Sequence, residues 1–250
     1  MRNTASDPSR TPTGAPTGAS AQAASASAAE TASPAPSAAA RTVPAAAEAS
    51  AAEASAPRTP ASRWRIVDIV VTAVLGFAVG LVFWAWAAAW SVFELWTMAF
   101  PPLMGLFGGV WVLAGPLAAL IVRRPGAALV CELLAAVTEA VLGSHFGATV
   151  IISGLLQGLG AELAFALLRY RRFGLPTALL SGALAGVGLT AGEIVMYYAA
   201  WAPAFQAVYA VLGIASSVVI AGLGSWLLMR ALARTGALAS LSSGRTARRI

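Results

Sequence analysis

Glu132, Glu139, Gln157, Glu162 and Glu193 stand inside long apolar runs of the 250-residue chain. Ionisable and amide side chains in such surroundings are costly, so they face a bundle interior or a cavity, where they meet a ligand or one another. Glu139 and Glu193 can hold a cation or an amino group, Gln157 offers both a donor and an acceptor, and Trp111 and Tyr197 offer flat faces for stacking. His145, the only histidine, lies in the short run Gly143-Ser144-His145-Phe146-Gly147 and is the only conceivable proton shuttle. It is expected to cap a pocket or to face solvent. Ser144, His145 and Glu139 would sketch a serine hydrolase, but neighbouring Ser and His on one tight turn do not readily align as nucleophile and base.

Composition removes most other chemistry. All 16 positive residues are Arg and none is Lys, which excludes a Walker A loop, a protein kinase and Schiff-base catalysis. One Cys and one His exclude a disulfide framework and a His/Cys-rich metal site. The expectation is a protein that is not an enzyme and carries no metal or cofactor. A net charge of +6 could suggest nucleic acid, yet the arginines flank apolar runs and do not form a soluble basic face, so the membrane surface is the expected partner.

The elements that must position these residues are membrane helices. The chain is 58% hydrophobic and 10% charged, against about 45 to 50% and 25% in soluble domains. The fold class expected is an all-α membrane protein, a six-helix bundle with helices near 66–88, 103–122, 126–143, 148–170, 176–200 and 205–229. Pro101-Pro102, Arg123-Arg124-Pro125-Gly126 and Gly174-Leu175-Pro176 punctuate them, because proline is tolerated in a first turn and blocks continuation. Residues 61–235 form this domain. Residues 1–60, an Ala/Ser/Pro tract without aromatics, are expected to be a disordered cytoplasmic tail and no signal peptide, and 236–250 a short basic one.

Arginine placement sets the orientation. Arg63 and Arg65 precede the first helix, Arg123 and Arg124 follow the second, Arg169, Arg171 and Arg172 follow the fourth, and Arg230 and Arg234 follow the sixth; the alternate connections carry none. Arginines are retained on the cytoplasmic side, so both termini are expected there. Trp84, Trp86, Trp90, Trp96 and Trp201 then fall at the outer ends as interfacial anchors.

A rise of about 1.5 Å per residue puts Glu139, Glu193 and Trp111 in the outer half and Gln157 near mid-depth, which describes a pocket open to the outside. Glu132 and Glu162 lie deeper and are expected to serve structure or coupling ahead of ligand binding. Small-residue stripes, among them Gly76 with Gly80 and Tyr209-Gly213-Ser217-Gly224, are expected to pack helices closely.

The run Ile121-Val122-Arg123-Arg124-Pro125-Gly126-Ala127-Ala128-Leu129, continuing through Glu132 and Glu139 to Leu142-Gly143, and the run Gln157-Gly158-Leu159-Gly160-Ala161-Glu162 with Phe165, resemble the YkoE family over roughly residues 63 to 235. The resemblance implies a substrate-binding (S) subunit of an energy-coupling factor (ECF) importer in the bacterial plasma membrane. It also implies thiamin or its hydroxymethylpyrimidine precursor as substrate, and a transmembrane coupling subunit with two cytoplasmic ATPases as partners. Many S subunits dock through an Ala-x-x-x-Ala surface on the first helix; here the clearest small pair is Gly76 and Gly80, and Ala73 is followed four later by Phe77. The alternative is a membrane structural or assembly subunit whose buried acids bind no small molecule.

Overall fold

The computed structural model describes residues 63–236 together with Leu238, Leu241 and Ser243. The expected tail at 1–60 and nearly all of that at 236–250 lie outside the described residues. Every regular element among them is helical.

Helix α1, Ile66–Ala88, starts where Arg65 is extended and Asp68 in the first turn accepts the Arg65 backbone N–H at 3.0 Å. At about 1.5 Å per residue its 23 residues span about 35 Å. The chain then turns into a short helix, α2, Trp90–Thr97, within what hydropathy alone assigned to a connection. Eight residues with inward Trp90 and Thr97 and outward Leu95 and Trp96 are too few for periodicity to reveal a helix.

The second expected helix is broken into pieces: a 3-10 turn Pro101–Met104, one α turn Gly105–Gly108, a second 3-10 turn Gly109–Val112, and helix α3, Ala114–Val122. Ser216 stabilises the break. Its hydroxyl donates to the Leu106 carbonyl at 2.6 Å and accepts the Gly109 N–H at 3.2 Å. Gly105 is required here, since a Cβ on it would lie 2.6 Å from the Tyr209 carbonyl oxygen. All nine residues of α3 are buried, so this segment is the hub of the bundle.

Helix α4, Ala127–Val141, α5, Thr149–Leu167, and α6, Leu175–Met196, follow, all shorter than the expected 126–143, 148–170 and 176–200. The fourth and fifth expected helices ran too far because hydropathy continues through Arg169–Tyr170, which turn with positive φ, and through Tyr197–Tyr198. Helix α7, Pro203–Ser217, passes through a π-helical turn, Val218–Leu223, into α8, Gly224–Arg234, as one 32-residue rod. The π turn lies where α6 presses closest: a Cβ on Gly182 would meet the Ser217 carbonyl oxygen at 2.6 Å and the Gly222 nitrogen at 2.8 Å.

Neighbours in space run α1, α4, α5, α6, α7, a curved layer around the broken central span. Five stretches are long and apolar enough to cross a membrane: Ile66–Ala88, Pro101–Val122, Thr149–Leu167, Leu175–Met196 and Pro203–Arg234. Helix α4, about 22 Å long, is shorter than the roughly 30 Å hydrocarbon core. Val74, Phe77, Leu159 and Val211 are among many large apolar side chains on the outside, the surface of a protein solvated by lipid. Gly76 and Gly80 face inward onto α4, where a Cβ would sit 2.7 Å from Leu134 Cβ and 2.6 Å from Thr138 Cβ respectively. That face of α1 is therefore occupied by the chain itself, and Gly76 and Gly80 are not a surface for a partner.

Candidate functional site

At the end of the bundle that carries the 143–147 loop, α1, the central span, α4, α5 and α6 enclose a cavity of about 340 Å³, including its open mouth. Glu139, Glu193, Gln157, Trp111 and Tyr197 all line it, although four separate helical segments supply them. The structure thus gathers five of the six expected pocket residues.

Each carboxylate has a neutral hydroxyl donor. Ser144 Oγ donates to Glu139 Oε1 at 2.7 Å. The Tyr209 hydroxyl donates to Glu193 Oε2. No arginine or histidine lines the cavity, so neither acid finds a protein cation there. Gln157 is buried, with 4% of its surface exposed, and makes no side-chain hydrogen bond among the described residues. Its amide is not among the fully buried side-chain atoms that lack a partner, so it opens onto the cavity it lines, where it can meet a molecule that enters. Trp111 is buried, whereas Tyr197 stands at the rim with its hydroxyl 2.5 Å from Thr149 Oγ1.

His145 is the exception. It is exposed, does not line the cavity, and sets its ring edge against Phe146 at 5.0 Å. Phe146, absent from the expected set, is the actual roof: its ring contacts Trp90 at 5.3 Å, Trp111 at 5.7 Å and Tyr197 at 5.8 Å. Trp90 was expected as an interfacial anchor and is instead buried beneath that roof, because α2 folds its first residue inward over the bundle end. Trp86 likewise turns inward and donates its indole N–H to the Phe107 carbonyl at 3.0 Å. Trp84 and Trp96 are exposed, as an anchor requires. The flanking glycines Gly143 and Gly147, both with positive φ, were the signal that this loop is a fixed turn rather than a strand of solvated chain.

The two deeper acids do not line the cavity. Glu132, fully buried two helical turns below Glu139, accepts the Gly115 N–H at 2.6 Å and so holds the broken start of α3; its Oε1 has no partner among the described residues. Glu162 caps the first turn of α4, accepting N–H groups of Gly126 at 2.6 Å and Ala128 at 2.9 Å and the Tyr170 hydroxyl at 2.7 Å. Burial and the Glu162 carboxylate push the Tyr170 pKa up, which keeps that hydroxyl a donor. At the same end Arg124 Nε meets the buried Asp68 carboxylate at 2.8 Å, Trp64 donates to the Pro125 carbonyl at 3.1 Å, and Arg123 lies 5.2 Å over the Phe173 ring. These contacts pin the arginine-bearing connections to one another.

Comparison with known proteins places this architecture. The family described as the permease component of an ABC-type cobalt transport system matches residues 67–188. Among the described residues no three His, Cys, Asp or Glu side chains come together as metal ligands. The YkoE protein of Bacillus subtilis (strain 168), named as an HMP/thiamine permease protein, is 32% identical over 191 residues, which cover 73% of this chain and 91% of that protein. A crystal structure of an S-component of an ECF transporter matches with a TM-score of 0.70 at 31% identity, over 75% of this chain and 94% of the other. A multi-pass helical membrane protein with a pocket walled by acids and aromatics, and with relatives of this kind along nearly their whole length, belongs to the YkoE family of ECF transporter S-components, which are transport subunits and not enzymes.

Proposed function

We propose that this S-component captures thiamin or its hydroxymethylpyrimidine precursor from outside the cell in the cavity between Glu139, Glu193 and Gln157. The single observation that carries this reading is the Gln157 amide, which opens onto the cavity from an otherwise buried residue and makes no side-chain hydrogen bond among the described residues. An aminopyrimidine presents a ring nitrogen beside an amino group, an acceptor and a donor that match the NH₂ and C=O of one side-chain amide. Trp111 and Phe146 supply faces for the flat ring, and the two carboxylates suit either its amino edge or the positive charge of a thiazolium. In detergent, thiamin or hydroxymethylpyrimidine should raise the thermal midpoint of the purified full chain by several degrees. No shift with either compound at millimolar concentration would overturn the substrate assignment.

We infer six crossings with both termini in the cytoplasm. Helix α4 joins the Arg123-Arg124 turn to the 143–147 loop, and the arginine connections all fall on one side only when α4 crosses as well. Single Cys reporters at Ser144 and Pro203, in a Cys131→Ala background, should label from outside in intact cells, whereas reporters at Gly126 and Gly174 should not. Labelling of the latter pair from outside would invert the topology.

As an S-component the chain works with a coupling subunit and ATPases, and the proposed cycle delivers the captured vitamin to that coupling subunit while two cytoplasmic ATPases drive release inward. The inward face of Gly76 and Gly80 moves the search for the docking surface to the lipid-facing side of α1, where Ala73 and Phe77 lie.

A further inference from the structure

We propose that Tyr209 is a positioning residue of the binding site: its hydroxyl fixes the Glu193 carboxylate in the direction the ligand needs. This rests on the proposed binding role of Glu193.

Tyr209 does not line the cavity, yet it is 1% exposed and its hydroxyl reaches from α7 to Glu193 Oε2 on α6. A glutamate has three side-chain torsions and a flexible reach. One directed donor on Oε2 removes most of that freedom and leaves Oε1 and the remaining lone pairs to face the cavity. The donor is itself immobilised. The Tyr209 ring meets Tyr198 at 4.9 Å and Trp201 at 5.9 Å, both edge-on, while Tyr198 and Trp201 stack on each other at 4.2 Å. Gln206 closes the same turn, donating to the Tyr198 carbonyl at 3.0 Å. On its other side, the Tyr209 backbone packs against Gly105, where no Cβ fits.

The arrangement explains a residue that small-residue periodicity assigns to helix packing alone. Packing needs the ring and has no use for a hydroxyl, and a buried hydroxyl on an apolar helix face is costly unless it has a partner. Among the described residues, the hydroxyl-to-carboxylate bond that Tyr209 makes ends on a cavity-lining acid. Glu139 has the same support in a different form, from Ser144 on the capping loop. The two acids are thus each aimed by a side chain from a neighbouring element.

Tyr209→Phe keeps the ring and its contacts with Tyr198 and Trp201, so it isolates the hydroxyl. Isothermal titration of the full chain in detergent with thiamin should show Tyr209→Phe weakening affinity about tenfold, the effect of losing one hydrogen bond to a charged group. In a Glu193→Gln background the same change should cost less than about twofold, and the thermal midpoint of the unliganded Tyr209→Phe protein should stay within error of wild type. A ring that only packs would leave affinity and midpoint unchanged in Tyr209→Phe, and a hydroxyl that only stabilises the fold would lower the unliganded midpoint and cost the same affinity in both backgrounds; either result overturns the proposal. Should Glu193→Gln itself bind like wild type, the placement of Glu193 in the site fails first, and the positioning role falls with it. If neither thiamin nor hydroxymethylpyrimidine binds any variant or the wild type, the proposed substrate is wrong, a result separable from both others.

Discussion

Glu139→Gln and Glu193→Gln should each weaken thiamin binding ten- to a hundredfold in isothermal titration. Both substitutions keep the shape of the side chain and remove its charge. The lost quantity is a charge-assisted hydrogen bond or ion pair in a cavity with no protein cation, on the order of 1.5 to 3 kcal/mol. The unliganded proteins should melt close to wild type, because each acid is anchored by a neutral hydroxyl, Ser144 or Tyr209, which can bond a glutamine oxygen as well. Glu132→Gln should leave affinity largely intact, since that carboxylate meets the Gly115 amide below the cavity. Wild-type binding by both outer variants, with binding abolished by Glu132→Gln, would move the ligand two helical turns deeper.

A larger loss of stability is expected from Glu162→Ala. The substitution strips the acceptor from three backbone N–H groups at the start of α4 and from the Tyr170 hydroxyl, in half-buried surroundings. Unmaking hydrogen bonds to a charged group should lower unfolding free energy by about 1.5 to 3 kcal/mol. Glu162→Gln, which keeps one acceptor oxygen and turns an NH₂ toward donors, should fall between alanine and wild type. A melting curve of Glu162→Ala that matches wild type, combined with lost thiamin affinity, would reassign Glu162 from helix cap to ligand contact.

The cavity-lining acids were legible in the sequence because a membrane helix makes a lone Glu or Gln conspicuous, and helical spacing then gives its face and depth. Ile66–Ala88 was recovered at both ends for a similar reason: an arginine precedes it and an uninterrupted apolar run fills it. The irregularities were not legible. The breaks between Pro101 and Val112 depend on Ser216, more than a hundred residues away, and the π turn at Val218–Leu223 depends on glycines of a different helix. The same limit hid Phe146 and Tyr209. Their roles come from what crosses over to meet them, and aromatic residues at a membrane-facing end carry the composition of an anchor whichever way they point. Trp90 shows the cost of that ambiguity: one short helix turned it from the lipid interface into the wall behind the roof.

The brevity of α4 reaches beyond the protein to the lipid around it. Its neighbour α1 has 23 residues and α4 only 15, a difference of about 12 Å that the hydrocarbon boundary meets as a step along their shared seam where both cross. A bilayer meets such a step by thinning locally, at a fraction of a kcal/mol per Å of mismatch. Glu162 satisfies the amides at one end of α4, and the cavity lies at the other end, under the 143–147 loop. With α4 crossing beside α1 as inferred above, lipids that resist thinning would load the end of the bundle that carries the site, and thiamin capture is expected to depend on acyl-chain length even though no lipid touches the ligand.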